Sequence, residues 1–310
     1  VELLRVDFAC GEARPDRRVD WIFPDTDAAH AGMGEALAAQ EPVFRAAVAE
    51  ALAAFSALQH TASAESAAFS LQYGLAALWR AWGVEPRGVC GMGTGEYAAA
   101  AAAGVLTLAH AARLIAARGR VDRFNAELAT VTLHLPSTRW LCARTGSWIE
   151  SATVASLDYW LGQTAQPPQA DKVLRALLDA GDSTVLELGP GTTFAATSSA
   201  HIAQAPQLVA SCAAAGQDVT RALAHAVARL WMSGVAIDWL GYYGEEIRRR
   251  LPLPLYPFER TRRWIDAPAH SNIADKPSAP AATPRAFRPT WTRAAKLPRP
   301  QAFSGSWLII

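Results

Sequence analysis

The pentapeptide Gly91-Met92-Gly93-Thr94-Gly95 constrains this chain more than any other stretch. It follows the apolar pair Val89-Cys90 and opens an alanine-rich run, Ala98 to Ala103. Turns of the form G-x-S-x-G join a strand to a helix so sharply that the central side chain is lifted into a cleft. Such an elbow demands an α/β layout, with a strand entering and a helix leaving. Its central residue here is Gly93, which carries no nucleophile, and its flanks are Met92 and Thr94.

The rest of the chain supplies that layout. Val19 to Phe23 reads as a buried strand ending at Pro24, and Asp25, Thr26 and Asp27 are turn and N-cap types. Met33 to Leu58 has apolar residues at helical spacing, broken near Pro42. Ala67 to Trp82 is a stronger helix, with Gly83 as its C-terminal stop. Gly88 to Cys90 predicts a strand, and helices follow to about Gly104, over Leu106 to Ala117 and over Asp122 to Leu128. Val131 to Leu135 and Trp140 to Ala143 read as short strands. Lys172 to Leu178 predicts a helix, Val185 to Leu188 and Val209 to Ser211 strands, and Val219 to Trp231 a helix capped near Gly234. The alternation predicts layers around a mainly parallel sheet.

Composition removes several function classes. The 310 residues carry 29 basic and 28 acidic side chains, a net charge of +1, so no global field draws in nucleic acid or an anionic membrane. Arg248-Arg249-Arg250 and Arg260, Arg262 and Arg263 are offset by Glu245, Glu246 and Glu259. Cys10, Cys90, Cys142 and Cys212 are far apart without metal spacing and read as buried free thiols, as in a reducing cytoplasm. Arg5 and Asp7 interrupt the first apolar stretch, which does not read as a leader. Tyr97 to Ala109 is too short and too alanine-rich for a membrane span. The start without Met and the β-rich end Trp307-Leu308-Ile309-Ile310 suggest a segment of a larger polypeptide. Three prolines within Pro252 to Pro257 predict an extended tail, and the Pro, Ala and Ser content of Ala267 to Pro289 predicts a linker.

Motifs in this order resemble the acyltransferase domain of modular polyketide synthases. They are Phe23-Pro24, Gly32-Met33-Gly34, Gln72, Leu78 to Pro86, the elbow with Glu96, Ala98 to Leu108, Ala111-Ala112-Arg113 and Leu186 to Gly191. Trp231 to Trp239 and Leu253 to Arg260 resemble the tail that follows such domains, and Trp291 with the terminal strand resembles the entry to a ketoreductase region. The resemblance implies an α/β-hydrolase-like core. It also implies a Ser-His pair that moves a malonyl-type unit from coenzyme A to the phosphopantetheine of a carrier protein, with an arginine holding the extender carboxylate.

This chain departs from that machinery part by part. Gly93 stands at the serine position and Met92 at the preceding histidine. The early loop that supplies an oxyanion donor in the family is Asp25-Thr26-Asp27-Ala28-Ala29, with Thr26 at the donor position. Two carboxylates there oppose a developing oxyanion. The carboxylate-clamp arginine corresponds to Arg118, a possible vestigial anion site. After it the family inserts a small ferredoxin-like subdomain of on the order of 50–60 residues, with the catalytic histidine on its far side. Here only Gly119 and Arg120 separate Arg118 from what resembles the helix after that histidine.

Other groups read as structural. Thr94 is better placed as an N-terminal helix residue than as a nucleophile, and Cys90 as a packed thiol. His110 and His134 are the nearest candidate bases, but lie on a helix and in a strand-like run. Gly189-Pro190-Gly191-Thr192 lacks the lysine of a phosphate loop and reads as a tight turn.

The expectation is therefore a truncated acyltransferase core without catalytic residues, metal or cofactor of its own. Its expected organisation is a linker at 1–18, a core at 19–216 with the deletion near 120, and a helix and extended tail at 217–266. A flexible linker at 267–290 and the start of a ketoreductase-type domain at 291–310 follow. It would act as a spacer between ketosynthase and ketoreductase domains of one cytoplasmic chain, with extender units supplied in trans. Docking of a trans-acting acyltransferase or an acyl carrier protein, residual transferase activity and an engineered deletion stay open.

Overall fold

The computed structural model describes residues 17–26, 32–60, 63–162, 167–179, 183–189, 208–210 and 219–244. The chain divides into two compact units, and every described residue lies in the one formed by Val1–Glu245 with Leu308–Ile310. The Pro-rich tail, the linker, the basic runs, Cys10 and Cys212 lie outside the described residues.

Six strands form one sheet in the order β4-β3-β2-β1-β5-β6. They are β1 Arg18–Phe23, β2 Pro86–Gly91, β3 Arg139–Cys142, β4 Ser147–Ile149, β5 Ser183–Glu187 and β6 Leu208–Ala210. All neighbours are parallel except β3 and β4. The central strand β1 is buried from Val19 to Phe23, the near-continuous apolar run of a strand covered on both faces.

The cover comes from helices. Val19, Trp21 and Phe23 join a core shared with α2 Pro42–Ala57, α3 Ala64–Ala81, α4 Gly95–Ala102, α5 Leu108–Ala117 and α6 Val121–Leu128. Ile22 points the other way, with Cys90, Leu141 and Val185, under Val173, Leu174 and Leu177 of α9 Ala170–Asp179. Short helices α1 Glu35–Gln40, α7 Ser151–Val154 and α8 Leu157–Leu161 complete this part. Next come α10 Val219–Ser233, packed through Leu223, Val227 and Leu230, and α11 Trp239–Tyr243.

Local signals place the helix ends. Pro42 starts α2 at a position whose N–H needs no partner. Ser63 caps α3 and exchanges bonds with Ser66, a reciprocal capping box. Thr107 caps α5 by accepting from the His110 N–H at 3.2 Å. Gly83 takes φ +78° after α3, the left-handed stop expected of a glycine.

One expectation needs correction. Val131 to Leu135 is not a strand: the run is irregular and touches the α4–α5 loop through the His134 N–H to Val105 O bond, 3.0 Å. The place beside β2 is taken by β3, so the run crosses over to reach it. The β3–β4 hairpin was not expected. Its turn, Arg144-Thr145-Gly146, has the composition that marks a hairpin, and Gly146 takes φ +68°. No helix among the described residues is long and apolar enough to cross a membrane.

Candidate active-site elbow

Residues 91–95 do form the elbow. β2 ends at Gly91, Met92 N–H donates to Phe23 O at 2.9 Å, and Gly95 N–H closes onto Met92 O at 2.9 Å before α4 begins. The glycines serve different needs. A Cβ on Gly91 would lie 2.3 Å from Glu96 Cα, and one on Gly95 would lie 2.2 Å from Phe23 O. Both permit a close backbone crossing. Gly93 takes φ +54°, and a Cβ there would lie 1.8 Å from Asp25 Oδ2 and 2.2 Å from Asp25 Cγ. The Asp25 carboxylate thus occupies the space in which a side chain at position 93 would begin.

Asp25 is held there by the elbow. Its Oδ1 accepts from Thr94 N–H at 2.9 Å and from Thr26 N–H at 2.9 Å. By the resemblance, those are the amides after the nucleophile position and at the early-loop donor position. Both therefore point at one carboxylate oxygen. The Asp25 charge, expected to oppose an oxyanion at this loop, is bound by two amides.

Arg118 sits at the C-terminal end of α5, partly buried. Its Nη1 donates to Thr94 Oγ1 and to Glu65 Oε1, the latter at 3.2 Å. The guanidinium is tied to the elbow and to α3 rather than freely solvated. Thr94 is 1% exposed, and its hydroxyl accepts from Arg118. His110 and His134 have no hydrogen bond to the elbow; His110 lies at the start of α5 and His134 on the irregular run. α5 passes into α6 through Arg118, Gly119 and Arg120 alone.

A buried polar chain backs α4, and no feature of the sequence beyond Glu96 itself pointed to it. Trp140 Nε1 donates to the Tyr159 hydroxyl at 2.9 Å, and that hydroxyl donates to Glu96 Oε1. Burial first, and then the Glu96 carboxylate, push the Tyr159 hydroxyl well up from its ordinary value, so it stays a donor. Tyr159→Phe is expected to cost about 2–3 kcal/mol, because it strips a donor from a buried carboxylate and an acceptor from a buried indole. Urea unfolding measures this; an unchanged midpoint would remove the chain from the list of supports for α4.

Cys90 and Cys142 are buried free thiols on neighbouring strands, but their side chains enter opposite faces of the sheet. Burial, with Glu96 and then Cys142 nearby, raises the Cys90 thiol well above its usual range, so little thiolate forms at neutral pH. Peptide mass mapping after iodoacetamide treatment at pH 8 is expected to find both unmodified in the native chain and alkylated in denaturant.

Among the described residues no group of three His, Cys, Asp or Glu side chains could hold a metal ion. Two open cavities of about 730 and 670 Å³ lie elsewhere: one at the N-terminal ends of β1 to β3, lined by Arg18, Arg87 and Arg139, and one beside Cys142 and Tyr159. Neither includes an elbow residue.

A mostly parallel sheet with a strand-elbow-helix at its centre defines an α/β protein. The family model for the acyl transferase domain matches residues 20–129. The chain is 31% identical over 287 residues to the spectinabilin polyketide synthase system protein NorC of Streptomyces orinoci, covering 87% of this chain and 13% of that protein. It is 26% identical over 344 residues to the PKS-NRPS hybrid synthetase acdB of Aspergillus candidus, covering 81% of this chain and 14% of that protein. Among solved structures, the acyltransferase domain of ZmaA superposes with a TM-score of 0.72 at 20% identity, covering 82% of this chain and 83% of that one. The acyltransferase domain from the second module of the salinomycin polyketide synthase gives 0.68 at 23%, covering 77% and 80%. The chain belongs to the acyltransferase-domain family of polyketide synthases. It spans about an eighth to a seventh of the length of those two curated relatives.

Proposed function

We propose that this segment is a non-catalytic acyltransferase remnant that keeps its fold as a spacer between neighbouring domains of a polyketide synthase. The observation that carries the reading is the occupied nucleophile position: Gly93 offers no attacking atom, and the Asp25 carboxylate fills the room one would need. Nucleophilic transfer needs an attacking group, a base within hydrogen-bond reach and donors free to meet the oxyanion. Here Gly93 is bare, Arg118 is engaged by Thr94 and Glu65, and the Thr26 and Thr94 amides are already taken.

The short α5–α6 passage supports loss of the small subdomain. The Aspergillus candidus match runs over 344 aligned positions, whereas 81% of 310 residues is about 251, so about 93 positions fall opposite gaps in this chain. The Streptomyces orinoci match runs over 287 positions against about 270 residues of this chain, so that relative aligns almost without such gaps. On this reading the segment binds no cofactor of its own. The phosphopantetheine belongs to a carrier protein of the parent synthase, a ketosynthase and a ketoreductase are its neighbours, and extender units arrive from a separate acyltransferase.

Replacing residues 19–216 in the parent synthase with a Gly/Ser linker tests the spacer role. Product output is expected to collapse although no reacting group has been removed. Output equal to that of the unaltered synthase would contradict the proposal.

A further inference from the structure

We infer that the elbow is an intact two-donor anion site that the chain fills with its own Asp25 carboxylate, so that Asp25, and not only the missing side chain at position 93, keeps a small carboxylate or acyl oxygen out. It rests on the acyltransferase-type reading of the elbow, but its test reads binding and not transfer, so either can fail without the other.

The geometry carries it. Two backbone amides from different parts of the fold, one after β1 and one at the start of α4, reach a single oxygen at 2.9 Å each. That spacing is the one preorganised donors keep to a developing oxyanion. The occupant is a full carboxylate charge, and bonds from N–H groups to such a charge are stronger than neutral ones. The Arg118 guanidinium, hydrogen-bonded to the hydroxyl of Thr94, adds positive charge beside the same turn. Oδ1 is bound, while Oδ2 stands 1.8 Å from where a Cβ of residue 93 would lie, so one carboxylate blocks donor site and nucleophile site together. The glycine at 93 and the aspartate at 25 therefore form a matched pair. A serine at 93 leaves the donor site shut and is seated only if the Asp25 side chain gives way.

The test uses the full ¹⁵N-labelled chain and sodium acetate as the probe, with sodium chloride at equal ionic strength as the control. In Asp25→Gly the amide resonances of Thr26 and Thr94 are expected to move saturably with acetate, with half-saturation in the roughly millimolar range that a ligand of so few atoms permits. In the unaltered chain, and in Asp25→Asn, whose side-chain oxygen can still fill the site, they are expected to stay in place. Unmoved amides in Asp25→Gly, an equal response to chloride, or an equal response in the unaltered chain would overturn the inference.

A second arm measures the pairing. Gly93→Ser is expected to lower the melting temperature by roughly 6–10 °C in the unaltered chain and by less than half as much in Asp25→Gly. Equal losses in both backgrounds would contradict the pairing. Should Gly93→Ser fold in neither, the acetate titration of Asp25→Gly decides alone.

Discussion

Gly95→Ala is expected to destabilise the chain by about 3 kcal/mol or more, lowering its melting temperature by roughly 6–12 °C. The added methyl carbon would sit 2.2 Å from Phe23 O and 2.5 Å from Pro24 O, both backbone atoms at the end of the central strand. Neither can swing aside as a flexible side chain could. Relief requires α4 to withdraw from β1, which would loosen the packing of Tyr97 and Ala98, both nearly fully buried. Gly104 and Gly119 supply the control. They have positive φ, +75° and +83°, but nothing within 4 Å of an added Cβ. Alanine there bears only the conformational cost, about 1–2 kcal/mol. Calorimetry of the three variants separates crowding from backbone strain, and equal losses would mean that the elbow is not the tight crossing described.

Arg87→Ala is expected to be of similar size, about 3–5 kcal/mol, because it leaves a buried carboxylate without its guanidinium. The pair is bidentate: Nη2 lies 2.5 Å from Asp20 Oδ2 and Nε lies 3.1 Å from Oδ1. The side chains are 8% and 1% exposed. A register shift puts it there. Val19 pairs with Pro86, but Asp20 pairs with Gly88, so Arg87 is the extra residue of a bulge that turns its side chain towards β1. Removing both partners is expected to cost less than the two single losses together, since neither charge is then buried without the other. Urea unfolding of the double-mutant cycle measures this. Strict additivity would show that the two charges do not depend on one another.

Much of the fold was legible because local and global signals agree. The elbow, the helix starting at Pro42, the stop at Gly83 and the central strands all carry glycine, proline or apolar patterning that acts within a few residues. Val131 to Leu135 misled because its β-branched residues fit a strand while its neighbours left it no partner. The candidate site was legible as an elbow with a bare Gly93 at its centre. What fills it was not. The bond from Asp25 to Thr94 spans 69 positions, and the Glu65 and Tyr159 contacts join α3 to α5 and α8 to α4. No local pattern encodes such meetings, which exist only once the sheet has brought β1 and β2 side by side.

The central claim is that no atom of this elbow takes up an acyl group. Incubating the full chain with radiolabelled malonyl-CoA and counting acid-precipitable label tests it most directly. The account predicts no label above that of heat-denatured chain, and stoichiometric covalent label on the native chain would contradict it.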